Sequence, residues 1–406
     1  MPSLRRALAI VLAVAILLTL VAALHLYLVR RLVLDTGMVP PLRGAAACMI
    51  AALGALLVLE PIAQRLLPRR LARIVAWPAF LWMEFAFFLL VSLGTADLLL
   101  SIAGRSASAG LAPAAGLERS AQPSPPRAAA RRRAAAAAGI TAFAGGVALA
   151  SALRRPSVRR VELALARWPG ALDGFRIAQV SDLHIGSLLG ARFATQVVDL
   201  VNAREPDLIA VTGDLVDGGV RQLAAEVAPL ARLRAPHGVF FVTGNHDYYS
   251  GADAWLVQVR ALGMRALRNE RVTIGEGEAS FDLAGVDDHH ADLFGGDHGE
   301  DVPHALDGRD PRRAVVLLAH DPTTFKRAAD LGVDLQISGH THGGQLWPFR
   351  YLVRLAVPFV AGAYRRGTAL LYVSRGTGFW GPPMRLFAPA EITEIVLRRA
   401  PAPAAA

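Results

Sequence analysis

Residues 7–29 form an apolar run broken only by Thr19 and His25 and bracketed by Arg5, Arg6, Arg30 and Arg31. At about 1.5 Å per residue a helix of that length crosses a hydrocarbon core of roughly 30 Å, and few other folds accept such a stretch. A cleaved export signal would need a shorter apolar core and a small-residue cleavage site, so the run reads as a retained helix. Three more runs follow: 44–59, which stops at Glu60-Pro61; 74–104, which contains Trp77-Pro78, Glu84 and Asp97; and 134–153, between Arg131-Arg132-Arg133 and Arg154-Arg155. Residues 1–110 therefore read as transmembrane helices, residues 111–133, rich in Ala, Pro and Arg, as a linker, and residues 134–153 as a fourth transmembrane helix or an export-signal-like segment. Carboxylates at membrane depth are costly, so Glu84 reads as a polar contact within a bundle, unless Glu84 and Asp97 each lie near an interface or face a neighbouring helix; a rival reading puts both on the path of a small transporter.

Charge divides the chain. Up to residue 170 there are 20 arginines against 6 acidic residues, a balance of +14; beyond it 23 basic residues face 27 acidic ones, a balance of −4. A nucleic-acid binder would place its excess on the folded domain, so no nucleic-acid partner is expected and lipid headgroups fit the arginines better. The single cysteine, Cys48, excludes an intramolecular disulfide. The arginine triplet before the last run favours a multi-pass cell-membrane protein with its C-terminal domain outside the cytoplasm.

From residue 170 to 400 the pattern changes to short β-type runs separated by helical stretches, as an α/β domain shows. Strands are expected at 175–180, 208–212, 239–243, 281–285, 314–318, 335–338, 369–373 and 392–397. Several end in polar clusters: Ser181-Asp182-Leu183-His184, Gly213-Asp214-Leu215-Val216-Asp217, Gly244-Asn245-His246-Asp247, Ala319-His320-Asp321 and Gly339-His340-Thr341-His342. Ligand sites of α/β folds lie beyond the carboxyl ends of strands, so these clusters imply one shared site. Asp182 and His184, like His340 and His342, are two apart, which in an extended segment puts both side chains on one side. Carboxylate, imidazole and amide donors without thiolate suit Mn, Zn or Fe.

In this order the clusters resemble the calcineurin-like metallophosphoesterase family, closest to its membrane-associated bacterial phosphodiesterase-like branch, over roughly residues 173–400. The resemblance implies a four-layer α/β/β/α sandwich, here preceded by an α-helical transmembrane region, and two divalent transition-metal ions. It implies that Asp182, His184 and His342 bind one ion, that Asn245, His320 and His340 bind the other, and that Asp214 bridges them. Attack of a metal-bound hydroxide on a phosphoester, more expectedly a diester, follows, with His246 serving the leaving group, Asp247 orienting that ring, and Asp217 supporting the bridging segment. Arg375, in Ser374-Arg375-Gly376-Thr377-Gly378, is expected to bind a substrate phosphate. A phospholipid or a nucleotide-linked lipid such as a UDP-diacylglucosamine would suit a membrane anchor. Tyr248, Tyr249 and Trp347 are candidates for the pocket wall; Asp287-Asp288-His289-His290 reads as a solvated insertion or a substrate-side loop; residues 382–387 supply rigid apolar surface. The rival readings are a metal-binding sensor or scaffold without turnover, and a small transporter regulated by a hydrolase domain.

Overall fold

The computed structural model describes residues 2–109 and 127–401, which fall into two compact units, Met1–Leu67 with Leu71–Val147 and Pro68–Arg70 with Ala148–Ala406. The first unit is helical: α1 (Pro2–Val29), α2 (Pro40–Leu66), α3 (Arg69–Ala109) and α4 (Arg127–Leu153). All four are long and apolar enough to cross a membrane. They leave large side chains such as Leu12, Leu17 and Leu26 uncovered, an arrangement that hydrocarbon solvates and water does not. A small interior is built from Leu28, Ile50, Ala86, Leu89, Leu93 and Ala137.

Several helix bounds differ from the sequence expectation. The second helix runs past Glu60-Pro61 to Leu66, because a proline removes one backbone donor without breaking a helix that its surroundings support. The linker expected over 111–133 lies in part outside the described residues, and residues 127–133 belong to α4. The first helix continues as a wider π-turn, Arg30–Leu34, so the arginines do not end it. Asp97 is paired rather than free: it accepts from Tyr27 Oη at 2.7 Å and faces Arg31 Nη2 at 2.8 Å. Glu84 is buried with no hydrogen-bond partner among the described residues.

Among the described residues the second unit carries twelve strands in chain order: β1 (Ser157–Leu165), β2 (Arg176–Val180), β3 (Leu208–Thr212), β4 (Val239–Val242), β5 (Arg265–Ala266), β6 (Glu270–Glu276), β7 (Ala279–Gly285), β8 (Val315–Leu318), β9 (Leu335–Ser338), β10 (Gly362–Arg366), β11 (Ala369–Val373) and β12 (Glu391–Arg399). They form two six-stranded sheets, ordered β1-β12-β2-β3-β4-β5 and β10-β11-β9-β8-β7-β6. Their inner faces share one core in which Trp168, Ile177 and Leu208 of the first half meet Phe281, Leu283 and Ile337 of the second. Helices α5 (Ala191–Asn202), α6 (Val220–Val227) and α8 (Ala252–Ala261) cover the outer face of the first sheet through Val197, Leu223 and Trp255. A short helix α7 (Asn245–Tyr249) precedes α8. On the other side α9 (Val302–Leu306) and α10 (Phe325–Asp330) cover the second sheet through Ala305 and Ala328. The result is the expected four-layer α/β/β/α order.

Strands β2, β3 and β4 run parallel with Val180 beside Val211 and Thr212 beside Val242, so their carboxyl ends lie level. In the other sheet β7, β8, β9 and β11 are likewise parallel. All the polar clusters therefore open at strand ends that the two sheets bring to a common edge. The folded unit begins with β1, ahead of residue 170; β1, β6 and β10 are edge strands with many half-exposed positions and carry little apolar signal.

Candidate metal centre

The chain turns sharply at each strand end. Asp182, His184, Asp214, His340 and His342 all have positive φ, between 46° and 71°, a region that costs a non-glycine residue energy and recurs at functional sites. The Asp-x-His and His-x-His pairs are thus not extended, as their spacing had suggested; left-handed turns aim both side chains of each pair inward. The turns are laced together: Asp182 N donates to Gly213 O at 3.0 Å, His184 N to Asp214 O at 3.1 Å, and His340 N to Asp182 Oδ1 at 2.9 Å. Gly339 has to be a glycine, because a Cβ there would collide with Ser181 Oγ and Asp182 Oδ2.

Three donor groups result among the described residues; one joins His184 to Asp217 and His246, and the other two consist of expected ligands. In the first of those two, Asp182, His184 and His342 place their ligand atoms within 4.8 Å of one another. The Nε2 atoms of His184 and His342 stand 3.0 Å apart, and His342 Nε2 is 3.4 Å from Asp182 Oδ1. In the second, Asp214, His320 and His340 meet the same limit, and Asn245 Oδ1 lies 3.0 Å from His340 Nδ1. Asp214 stands between the groups, with Oδ2 at 3.2 Å from His320 Nε2 and 3.6 Å from His184 Nε2.

These residues fit a pair of divalent cations. Two buried imidazole nitrogens face each other at hydrogen-bond distance, and Asp182 Oδ2 is buried without a hydrogen-bond partner among the described residues. His320 gives its Nδ1 proton to Thr212 O at 2.7 Å, and His184 Nδ1 lies 3.0 Å from Asp217 Oδ1; each thereby frees Nε2 as a donor atom. Oxygen and nitrogen donors in these numbers suit a transition metal. Burial alone would raise the Asp214 carboxyl, but the charges of His320, His246 and His184 outweigh it and hold it well below the usual carboxylate range.

His246 sits at the rim of this centre. Its backbone N–H donates to Asp214 Oδ1 at 2.8 Å and its Nδ1 lies 2.7 Å from Asp217 Oδ1. Burial pulls the ring pKa down, but the Asp217 hydrogen bond and the Asp214 and Asp217 charges raise it to about 9. Asp217, rather than Asp247, orients this imidazole. Asp247 is fully buried and accepts instead from Leu215 N and Gly244 N, both at 2.9 Å, so it pins the loops bearing Asp214 and Asn245. Burial and the Asp214 charge push its carboxyl up to about 7.

Other expectations shift as well. Arg375 does not line the cavity above the centre; its guanidinium is 3.6 Å from Glu391 Oε2. Tyr249 lines that cavity, whereas Tyr248 is buried against Phe294 and His298 and Trp347 is not among the lining residues. Asp287 is buried in a pair with Arg268 at 2.6 Å and Asp288 is buried beside it; only His289 and His290 of that run reach solvent, so half of the expected solvated insertion is interior.

Sequence reasoning missed Arg385. It lies in the stretch read as apolar surface, is fully buried, and donates from Nε to Gly378 O at 2.9 Å and from Nη1 to Arg375 O and Ala388 O at 2.8 Å. Its Nη2 reaches His342 Nδ1 at 3.1 Å. Burial lowers the guanidinium to about 10. An arginine inside Pro382-Pro383-Met384-Arg385-Leu386-Phe387 was the available signal.

Residues 175–344 match the calcineurin-like phosphoesterase family. The chain is 39% identical over 274 residues to the transmembrane protein with metallophosphoesterase domain of Bos taurus, a match covering 64% of this chain and 62% of that one. An uncharacterized metallophosphoesterase of Helicobacter pylori (strain J99) is 38% identical over 247 residues, covering 60% and 65% respectively. The chain thus spans less than two thirds of the length of these two relatives. It covers 85% of an uncharacterized metallophosphoesterase of Aquifex aeolicus at 36% identity over 225 residues. With the donor groups in place and this degree of likeness, the chain belongs to the calcineurin-like metallophosphoesterase family.

Proposed function

We propose that the C-terminal unit, residues 170–400 of the expected domain plan, hydrolyses phosphodiester bonds at a centre holding two divalent transition-metal ions. Asp182, His184 and His342 would hold one ion, Asn245, His320 and His340 the other, and Asp214 both. Bound there, the ions would supply Lewis-acid activation of water and would neutralise charge on the phosphoryl oxygens. The chain's own residues do the rest. Asp217 holds His246 by Nδ1, so the Nε2 proton is the one available to a group in the cavity. In the metal-free centre, against the downward pull of burial, the Asp217 hydrogen bond and the Asp214 and Asp217 charges raise the ring pKa to about 9. A protonated ring there would hand its proton to the departing alkoxide as water adds to phosphorus, releasing its own proton to solvent, and the ester oxygen leaves. The products are a monoester and an alcohol.

The observation carrying this reading is that one carboxylate, Asp214, stands between two donor groups while also accepting the backbone N–H of His246. Phosphodiesters of amphiphilic compounds, phospholipids or nucleotide-linked lipids, accord with the four helices able to cross a membrane. A multi-pass arrangement with the catalytic unit outside the cytoplasm rests on the arginine triplet before α4's apolar stretch.

The test is hydrolysis of bis(p-nitrophenyl) phosphate and p-nitrophenyl phosphate by the full chain in detergent, stripped of metal and reloaded with Mn²⁺, Zn²⁺, Fe²⁺ or Mg²⁺. Metal-dependent turnover of the diester, reduced at least about a hundredfold in His246→Ala, is expected. Two bound ions without turnover of either compound would overturn the reading in favour of a scaffold.

A further inference from the structure

The cavity above the candidate metal centre, about 480 Å³, has two chemically opposite surfaces. Its floor is the polar set of His184, Asp214, Asn245, His246, His340 and His342. Its wall comes from α11 (Arg350–Ala356) and the residue after it: Leu352, Val353, Ala356 and Val357. None of these four side chains carries a hydrogen-bonding group.

Helix α11 buries none of its residues. Leu355 is 85% exposed and Leu352 58%, and Trp347 just before the helix is also exposed. A contiguous apolar surface of this kind marks an interaction site rather than ordinary surface. Arg350 and Arg354 of the same helix are exposed, with no ion pair shown among the described residues, so cations flank the apolar wall.

The occupant follows from continuity. Wall and floor belong to one cavity, and the floor is where the phosphoester goes. A nucleoside would set polar ribose and base edges against the four apolar side chains of the wall at a desolvation cost, leaving only Tyr249, Thr341, Gln345 and Trp380 in the rest of the lining to meet them. A hydrocarbon chain gains there, by up to about fourfold in affinity for each methylene fully buried. We propose that α11 with Val357 is the seat for the hydrocarbon chain of an anionic lipid phosphoester whose head group reaches the metal centre. This deepens, and rests on, the phosphodiesterase reading above.

The experiment uses the full chain in phosphatidylcholine nanodiscs with methyl, hexyl and dodecyl p-nitrophenyl phosphates, comparing wild type with Leu352→Asp and Ala356→Trp. The first variant makes the wall polar and the second fills it. Both positions lie on an uncovered helix, so two differently acting changes guard against a folding artefact. Partition of the alkyl chain into the bilayer is the same for all three proteins and cancels in the ratio of wild-type to variant kcat/KM. That ratio should rise at least about tenfold from methyl to dodecyl. A ratio independent of chain length overturns the seat while leaving the diesterase reading intact, as does a wild-type preference for thymidine 5′-p-nitrophenyl phosphate over the dodecyl diester. Equilibrium binding of methyl and dodecyl phosphonate to the same proteins gives the same comparison without turnover. Chain-length-dependent binding that both variants lose, with no hydrolysis of any diester, supports the seat and overturns the phosphodiesterase reading instead.

Discussion

Asp217 Oδ1 lies 2.7 Å from His246 Nδ1, and the same oxygen lies 3.0 Å from Nδ1 of His184. One carboxylate therefore sets the ring orientation both of a candidate metal-donor histidine and of the histidine that faces the cavity. Burial alone would raise the Asp217 carboxyl, but the charges and hydrogen bonds of His184 and His246 hold it well below the usual carboxylate range. It stays ionised across the working pH range and accepts from both rings.

Replacing this group should weaken two functions at once. Asp217→Asn is expected to lower diester turnover by about 10- to 100-fold and to loosen the ion held by Asp182, His184 and His342. Parallel measurement of kcat and of bound metal per chain checks this; full metal content with unchanged kcat would show that the contact is incidental.

The raised pKa of His246 links metal-free stability to pH. The folded protein holds this proton to about pH 9 while an unfolded chain releases it near 6.5. The contribution is thus complete below about pH 6.5 and is lost as the pH climbs through about 9, an effect on the order of 2 kcal/mol. Melting temperatures of metal-free wild type and His246→Gln should converge over that window, and a gap that stays constant from pH 6 to 10 would contradict it.

Asp214→Asn keeps the shape of the side chain but removes the charge between the two donor groups. Turnover should fall at least about a hundredfold and both ions should bind more weakly. Metal titration followed by calorimetry would separate this from loss of a single site, and normal turnover would sink the shared role of Asp214.

Gly339→Ala tests the turn rather than a ligand. The added Cβ would press on Asp182 Oδ2 and Ser181 Oγ, so relief requires the Asp182 carboxylate to move. A stability loss of about 1–3 kcal/mol with weakened metal binding is expected, read by denaturant unfolding and metal content. An unaltered metal affinity would show that the loop yields elsewhere.

Arg385→Met removes the donors that satisfy Gly378 O, Arg375 O and Ala388 O in a fully buried site. Stranding those carbonyls should cost about 3 kcal/mol or more and free the ring of His342. Denaturant unfolding would show the loss, and Arg385→Lys, with fewer donors on the same charge, should recover only part of it.

Much of this protein was legible before its structure. Long apolar runs with few polar interruptions specify membrane-length helices because nothing but hydrocarbon suits them, and strand-forming runs that end in Gly, Asp, Asn and His name both a sheet edge and the donor chemistry there. What misled was adjacency. Asp247 follows His246 in the chain, yet the first turn of α7 sends its carboxylate back to Gly244 N, while Asp217, from another strand end, reaches the ring. Arg385 is 43 residues beyond His342 and touches it. Neither contact has a local signature, because each is made by separate loops folded over one edge. Residue identity and order supplied the inventory: the spans, the strand ends and, through the family resemblance, the seven candidate metal-donor side chains. The three-dimensional arrangement alone set which carboxylate holds which imidazole and what wall stands over them, since those depend on two sheets brought face to face and on left-handed turns whose aim no residue spacing encodes.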